Sequence, residues 1–148
     1  QSVESGTAPS PAPKNFTASF NTSAVIVIDG VAESKAQILD ARSPTRFRGE
    51  EPEPRPGVKP GHMPSAINIH YASLLNEDST LKSGTALATI FDNANVDRAQ
   101  PIITSCGSGV TAAIITLALT ELGAKNPKLY DGSWAEWGAS EQKIVTEA

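Results

Sequence analysis

The sequence contains one cysteine in 148 residues, Cys106, so an internal disulfide is excluded and nothing points to an oxidising compartment. It has no excess of positive charge. A formal charge of −4 and the absence of any basic stripe argue against a nucleic-acid partner. No apolar run approaches the ~20 residues of a membrane span, which excludes a membrane protein of that kind. No secretory signal pattern stands at the start. The cytoplasm is therefore the expected compartment, with the mitochondrion as the alternative. Two glycosylation sequons, Asn15-Phe16-Thr17 and Asn21-Thr22-Ser23, read as chance matches without such a signal. The first residue is Gln rather than Met, so a processed chain or a piece of a longer one is expected.

What is present is ordinary for a globular domain: 39% hydrophobic and 19% charged residues. Residues 1–23 are rich in Ser, Thr, Ala and Pro and read as a linker or N-terminal extension. The domain proper runs over 24–148. There, apolar runs alternate with helical patterns. "AVIVI" (24–28), "AQILDAR" (36–42), "AINIHY" (66–71), "PIITS" (101–105) and the start of "KLYDGSWAEWG" (128–138) predict five short strands. Asp29 is placed to cap a brief helix through Ser34, and a second helix spans Ser83 to Phe91. The strongest helix spans Gly109 to Leu122, with Val110, Ile114 and Leu117 as its core stripe and Gly123 as its stop. The segment 43–65 is too rich in Pro and Gly to predict a regular element. Alternating strands and helices give an α/β fold, a mostly parallel five-stranded sheet with helices on both faces.

In such sheets the ligand crevice lies beyond the carboxyl ends of the strands. Cys106 follows the fourth strand and Arg42 and Arg46 follow the second, so the thiol is predicted to stand in that crevice. The stretch "SCGSGVT" leads directly into a helix. Free N–H groups at a helix start favour an anion, and Gly107 and Gly109 can take positive φ so that the backbone curls around a sulfur. The thiol is expected to ionise below its usual ~8.5. A lone cysteine is otherwise a small buried apolar residue, and position decides for reactivity.

Several reactions are excluded by what surrounds it. A tyrosine phosphatase needs an Arg six residues after the Cys, where Ala112 stands. Thioredoxin-like redox chemistry needs a second Cys. A papain-like protease needs a His base, whereas His62 reads as a turn residue and His70 as a strand-end residue. Chemistry in which Cys106 itself carries the transferred group remains.

Together, "DARSPTRFRG", "EPEPRPGVKPGHMPSAINIHY", "CGSGVTA" and "YDGSWAEWG" resemble the rhodanese superfamily. Within it, the resemblance is to the C-terminal domain of the 3-mercaptopyruvate sulfurtransferases, over about Ala24 to Gly138. The resemblance implies a persulfide cycle on Cys106, with Gly107, Ser108, Gly109, Val110 and Thr111 as a cradle of N–H groups and Ser108 as a proton relay. It also implies that Arg46 and Arg55 hold the carboxylate and keto oxygens of a small sulfur donor, 3-mercaptopyruvate. The implied acceptor is a thiol, such as thioredoxin or glutathione, or cyanide. No metal and no organic cofactor is called for. Trp134 and Trp137 read as core and rim packing.

Thiosulfate sulfurtransferases resemble the chain too, but carry two basic residues where Gly107 and Ser108 stand; thiosulfate:cyanide transfer is therefore the alternative. A rhodanese-like sulfur-carrier or interaction module without turnover is the other, although such modules commonly lack the Cys. Members of the superfamily usually pair two rhodanese domains around the site. An N-terminal partner domain, absent from this sequence, is expected, which makes an excised half the favoured reading over a stand-alone domain.

Overall fold

The computed structural model describes residues 6, 10 and 12–146. The linker reading for residues 1–5, 7–9 and 11 lies outside them. Residues 12–21 form no regular element, and a 3-10 turn at Thr22–Ala24 follows, its first turn held by the Asn21 side chain.

Five strands build one sheet: β1 (Val25–Ile26), β2 (Gln37–Asp40), β3 (Ile67–Asn68), β4 (Ile102–Ser105) and β5 (Lys128–Tyr130). Their order is β1-β5-β4-β2-β3, and every pairing is parallel, so the sheet is parallel throughout. β4 is central and all four of its residues are buried, as a strand covered on both faces should be. Side-chain alternation splits the core in two. Leu39 and Ile102 face α3 (Gly84–Asn93) and α4 (Ala112–Glu121). Ile38, Ile103 and Tyr130 face α1 (Ile28–Glu33) and α5 (Ser133–Trp137), with Trp134 and Trp137 in that second layer.

Four local expectations are corrected. "AVIVI" ends as a strand at Ile26, because Ile28 already begins α1. Asp29 lies inside the first turn of α1, and the N-cap is Val27, which makes no side-chain cap. Segment 43–65 holds a short helix, α2 (Pro44–Arg48): Ser43 accepts the Arg46 N–H, Pro44 starts the helix, and Gly49 ends it in the left-handed region at φ 81°. The buried face of α4 is Ala112, Ile115, Ala118 and Leu119, while Val110 and Leu117 are 74% and 52% exposed. α4 is apolar nearly all round, so period alone does not choose its inner face; Ala112, Ile115, Ala118 and Leu119 all join the core cluster on that side of the sheet. Its end is as expected. The N–H groups of Gly123 and Ala124 return to the carbonyls of Thr120 and Leu119, with Gly123 at φ 78°.

Candidate active site

β4 ends at Ser105, and the next residues form the loop that enters α4. α5 fixes the direction of that loop. Its first free N–H groups, on Trp134 and Ala135, donate to the carbonyls of Cys106 and Gly107 at 2.9 and 3.0 Å. Ser133, held at φ 51°, accepts from the N–H groups of Cys106 and Gly109 at 3.0 and 3.1 Å and donates to the Tyr130 carbonyl. With carbonyls drawn toward α5, the remaining N–H groups are left for the sulfur.

Cys106 is 1% exposed. Burial pushes its thiol up. Hydrogen bonds from the Thr111 hydroxyl and the N–H groups of Ser108 and Ala112, with the Ser133 hydroxyl as a distant neighbour at 4.0 Å, outweigh that push, so the pKa lies below the ordinary thiol value. The cradle thus differs in membership from the expected run of Gly107 to Thr111. Ser108 and Thr111 belong to it, the Gly109 N–H is taken by Ser133, and Ala112 joins it, while Ser133 supports the loop from behind. Val110 stands exposed at the rim.

The two loop glycines have different reasons. Gly109 alone of the pair has positive φ, 84°, and a Cβ there would lie 2.7 Å from the Asp131 carbonyl oxygen. Gly107 does not need positive φ; its missing side chain makes room for Arg46, whose guanidinium would lie 3.1 Å from a Cβ.

Arg46 comes from α2, one turn beyond β2, and is pinned there by Glu53, which bonds its Nη2 and Nε. Glu53 also bonds Arg42, at 2.9 Å. Arg42 is itself buried against Asp40, the Gly61 carbonyl and the ring of Trp134, with its guanidinium carbon 4.3 Å from the ring centroid. Arg42 is an anchor, with its donors spent on the fold. Arg46, 26% exposed, is left at the site mouth.

Two adjoining hollows result. One, of about 280 Å³, is lined by Cys106, Arg46, Ser108, Thr111, His70 and Tyr71, among others. The second, of about 170 Å³, lies across Gly107 and is lined by Arg46, Arg55, Glu53 and Ser108. The structure therefore brings Cys106, Arg46 and Ser108 together directly and places Arg55 next door, exposed, its guanidinium without an ion-pair or hydrogen-bond partner among the described residues. His62 is excluded from the chemistry: it is buried, stacked on Phe47 at 3.9 Å, with Nδ1 at 2.8 Å from the Phe47 carbonyl. No group of three or more His, Cys, Asp or Glu among the described residues is arranged to hold a metal. No helix among them is long and apolar enough to cross a membrane.

Sequence reasoning missed Glu53, Ser133 and the Ala112 N–H. For Ser133 a signal existed, since "YDGSW" follows β5 at the same carboxyl edge as Cys106.

The arrangement, a thiol after the central strand of a parallel sheet ordered β1-β5-β4-β2-β3, agrees with a family match: the rhodanese-like domain covers residues 23–140. The chain belongs to the rhodanese-like domain family. It is 48% identical to the 3-mercaptopyruvate sulfurtransferase of Escherichia coli K12 over 128 residues, 84% of the chain and 45% of that protein. It is 37% identical to the human 3-mercaptopyruvate sulfurtransferase over 143 residues, 93% of the chain and 48% of that protein. Among solved structures, the rhodanese fold of Escherichia coli SseA superposes with a TM-score of 0.69 at 44% identity, covering 81% of this chain and 45% of that one. The rhodanese chain spans about half the length of these relatives.

Proposed function

We propose that this rhodanese domain is the catalytic half of a sulfurtransferase that takes sulfur from 3-mercaptopyruvate and delivers it to a thiol acceptor such as thioredoxin or glutathione, or to cyanide. The observation that carries the reading is a single thiol, held below its ordinary pKa by inward-facing hydrogen-bond donors, in one hollow with the guanidinium of Arg46. The relatives named above supply the donor class.

In the first half-reaction the Cys106 thiolate attacks the donor sulfur. The carbon–sulfur bond breaks, its electron pair leaves with the pyruvate enolate, and a proton completes pyruvate. The sulfur stays on Cys106 as a persulfide. The Ser108 and Ala112 N–H groups and the Thr111 hydroxyl stabilise charge on sulfur throughout. Arg46, its Nε and Nη2 on Glu53, offers the Nη1 end of its guanidinium to the donor's carboxylate or keto oxygen, and Arg55 reaches the same substrate from the adjoining hollow. Ser108 lines both hollows and is the proposed proton relay.

Donor preference follows from the loop. Gly107 and Ser108 add no charge of their own, so anion binding falls to the two arginines, which suits a carboxylate better than the compact dianion thiosulfate. A second rhodanese domain is proposed over the mouth of the hollows, consistent with the half-length match. The test is single-turnover persulfide formation with each donor. Loading from 3-mercaptopyruvate faster than from thiosulfate supports the reading, and the reverse order overturns the donor assignment.

A further inference from the structure

A persulfide cycle moves protons as well as sulfur, and the hydrogen-bond donors around Cys106 account only for charge. Of the side chains lining its hollow, Arg42 and Arg46 are cations already committed to carboxylates. Ser43, Ser108, Thr111 and Tyr71 offer hydroxyls, which pass protons along. One remaining lining residue carries a ring with both a proton donor and a proton acceptor: His70.

His70 lies two residues beyond β3, at the entrance to the 3-10 turn Tyr71–Leu74. Its mount is rigid. The flanking Ile69 and Tyr71 N–H groups donate to the Asp40 and Ala41 carbonyls at 2.9 and 3.2 Å, and its own carbonyl accepts from the Ser73 N–H and hydroxyl at 2.9 and 2.7 Å. The ring stands edge-to-face on Tyr71 with centroids 5.1 Å apart. Neither ring nitrogen hydrogen-bonds to any described residue. A half-buried imidazole with a fixed backbone, an aromatic brace and two uncommitted nitrogens, facing the same hollow as the thiol, has the features of a general acid and base.

We propose that His70 carries the proton of the transfer cycle, a role that rests on the sulfurtransferase reading. As imidazolium it protonates the methylene carbon of the pyruvate enolate after the carbon–sulfur bond breaks. As imidazole it then takes the proton of the acceptor thiol. The acceptor thiolate attacks the outer sulfur of the Cys106 persulfide and the sulfur–sulfur bond breaks. Its electron pair returns to Cys106 as thiolate, and the acceptor departs as a persulfide. The proton gained in the second step is the one spent in the first, so the cycle closes without a further reagent.

The test separates base catalysis from packing. The parental chain and His70→Ala are loaded with sulfane sulfur from inorganic polysulfide, which bypasses the organic donor, and discharge by a series of small thiols of graded acidity is followed by intact-mass measurement. General-base assistance is worth roughly 10²–10⁴-fold. His70→Ala is expected to discharge to weakly acidic thiols at least a hundredfold more slowly, with the deficit shrinking toward thiols already ionised and partly restored by added imidazole. An equal slowing for every thiol, or no slowing, overturns the proposal. His70→Gln keeps polarity and bulk; if it matches the parental chain, the base role is likewise overturned. Failure of 3-mercaptopyruvate to load the parental chain would instead count against the donor reading and leaves the polysulfide arm intact.

Discussion

The two sides of the thiol are built by opposite means. On one side, the loop from Cys106 into α4 is made of backbone. Its carbonyls are tied to α5, the N–H groups of Ser108 and Ala112 serve the sulfur, and its geometry depends on a missing Cβ at Gly109. On the other, the excursion from Arg42 through Gly61 is made of side chains. A buried chain of ion pairs, Asp40–Arg42–Glu53–Arg46, holds one guanidinium at the mouth of the site, while Arg55 hangs free. The first side activates the nucleophile and the second recognises the donor. It follows that the nucleophile side should be sensitive to small steric changes and indifferent to surface charge, and the donor side the reverse.

The sharpest way to break this contrast is a single methyl group. Gly109→Ala forces an alanine to φ 84° and places its Cβ against the Asp131 carbonyl, so the loop must reshape. Persulfide formation should fall at least a hundredfold, with a lowered Tm. Gly107→Ala meets only the movable end of Arg46 and should lose less than tenfold. Equal losses in the two variants, read by single-turnover loading, would erase the distinction.

On the donor side, Glu53→Gln removes the charge that pins Arg46 and half-supports Arg42. Breaking a buried pair costs ~3–5 kcal/mol, and because Asp40 still holds Arg42 the lower end is expected in urea unfolding. Loading from 3-mercaptopyruvate should drop on the order of tenfold to a hundredfold. Alkylation of Cys106 by neutral iodoacetamide should hardly change. Parallel losses in both assays would show that the ion-pair chain supports the thiol as well.

Arg46→Lys and Arg55→Lys keep charge and lose the fork. Charge-assisted hydrogen bonds are worth roughly 1.5–3 kcal/mol, so kcat/KM should fall about tenfold to a hundredfold for either. The double variant should lose less than the sum, because one donor molecule is shared.

The smallest effect sharpens the other side. Cys106 titrates below its ordinary value in the folded chain, so thiolate reactivity reaches its plateau at lower pH than for an unfolded thiol. Thr111→Val removes the hydroxyl that contributes most among the donors, and the midpoint of the alkylation profile should move upward. Ser133→Ala should move it less. The same sign applies to stability: with the folded pKa depressed, ionisation of Cys106 adds stability as pH rises from the folded toward the unfolded value, and Cys106→Ser should lose that rise.

What could be read from the sequence divides along the same line. The strands, their parallel packing and the cysteine at the carboxyl edge were legible, because β-branched runs and a Gly-rich turn before a helix are local patterns. α2 was present in plain signals, Ser43 and Pro44 at its start and Gly49 at its end, but the density of Pro and Gly in 43–65 concealed them. The face of α4 was misread because both of its stripes are apolar, and only the sheet decides that Ala112, Ile115, Ala118 and Leu119 go inward. Glu53 and the place of His70 were illegible for a different reason. Their partners, Arg46 and Cys106, lie 7 and 36 positions away, and a contact made through tertiary folding leaves no period in a sequence.

The most direct measurement is the intact mass of the chain after brief exposure to 3-mercaptopyruvate. A gain of one sulfur atom on the parental chain, reversed by a small thiol with release of one persulfide and absent in Cys106→Ser, is the predicted result. An unchanged mass on the parental chain under conditions where Cys106 is rapidly alkylated by iodoacetamide would contradict the account: the thiolate would be reactive, and yet not a carrier of sulfur.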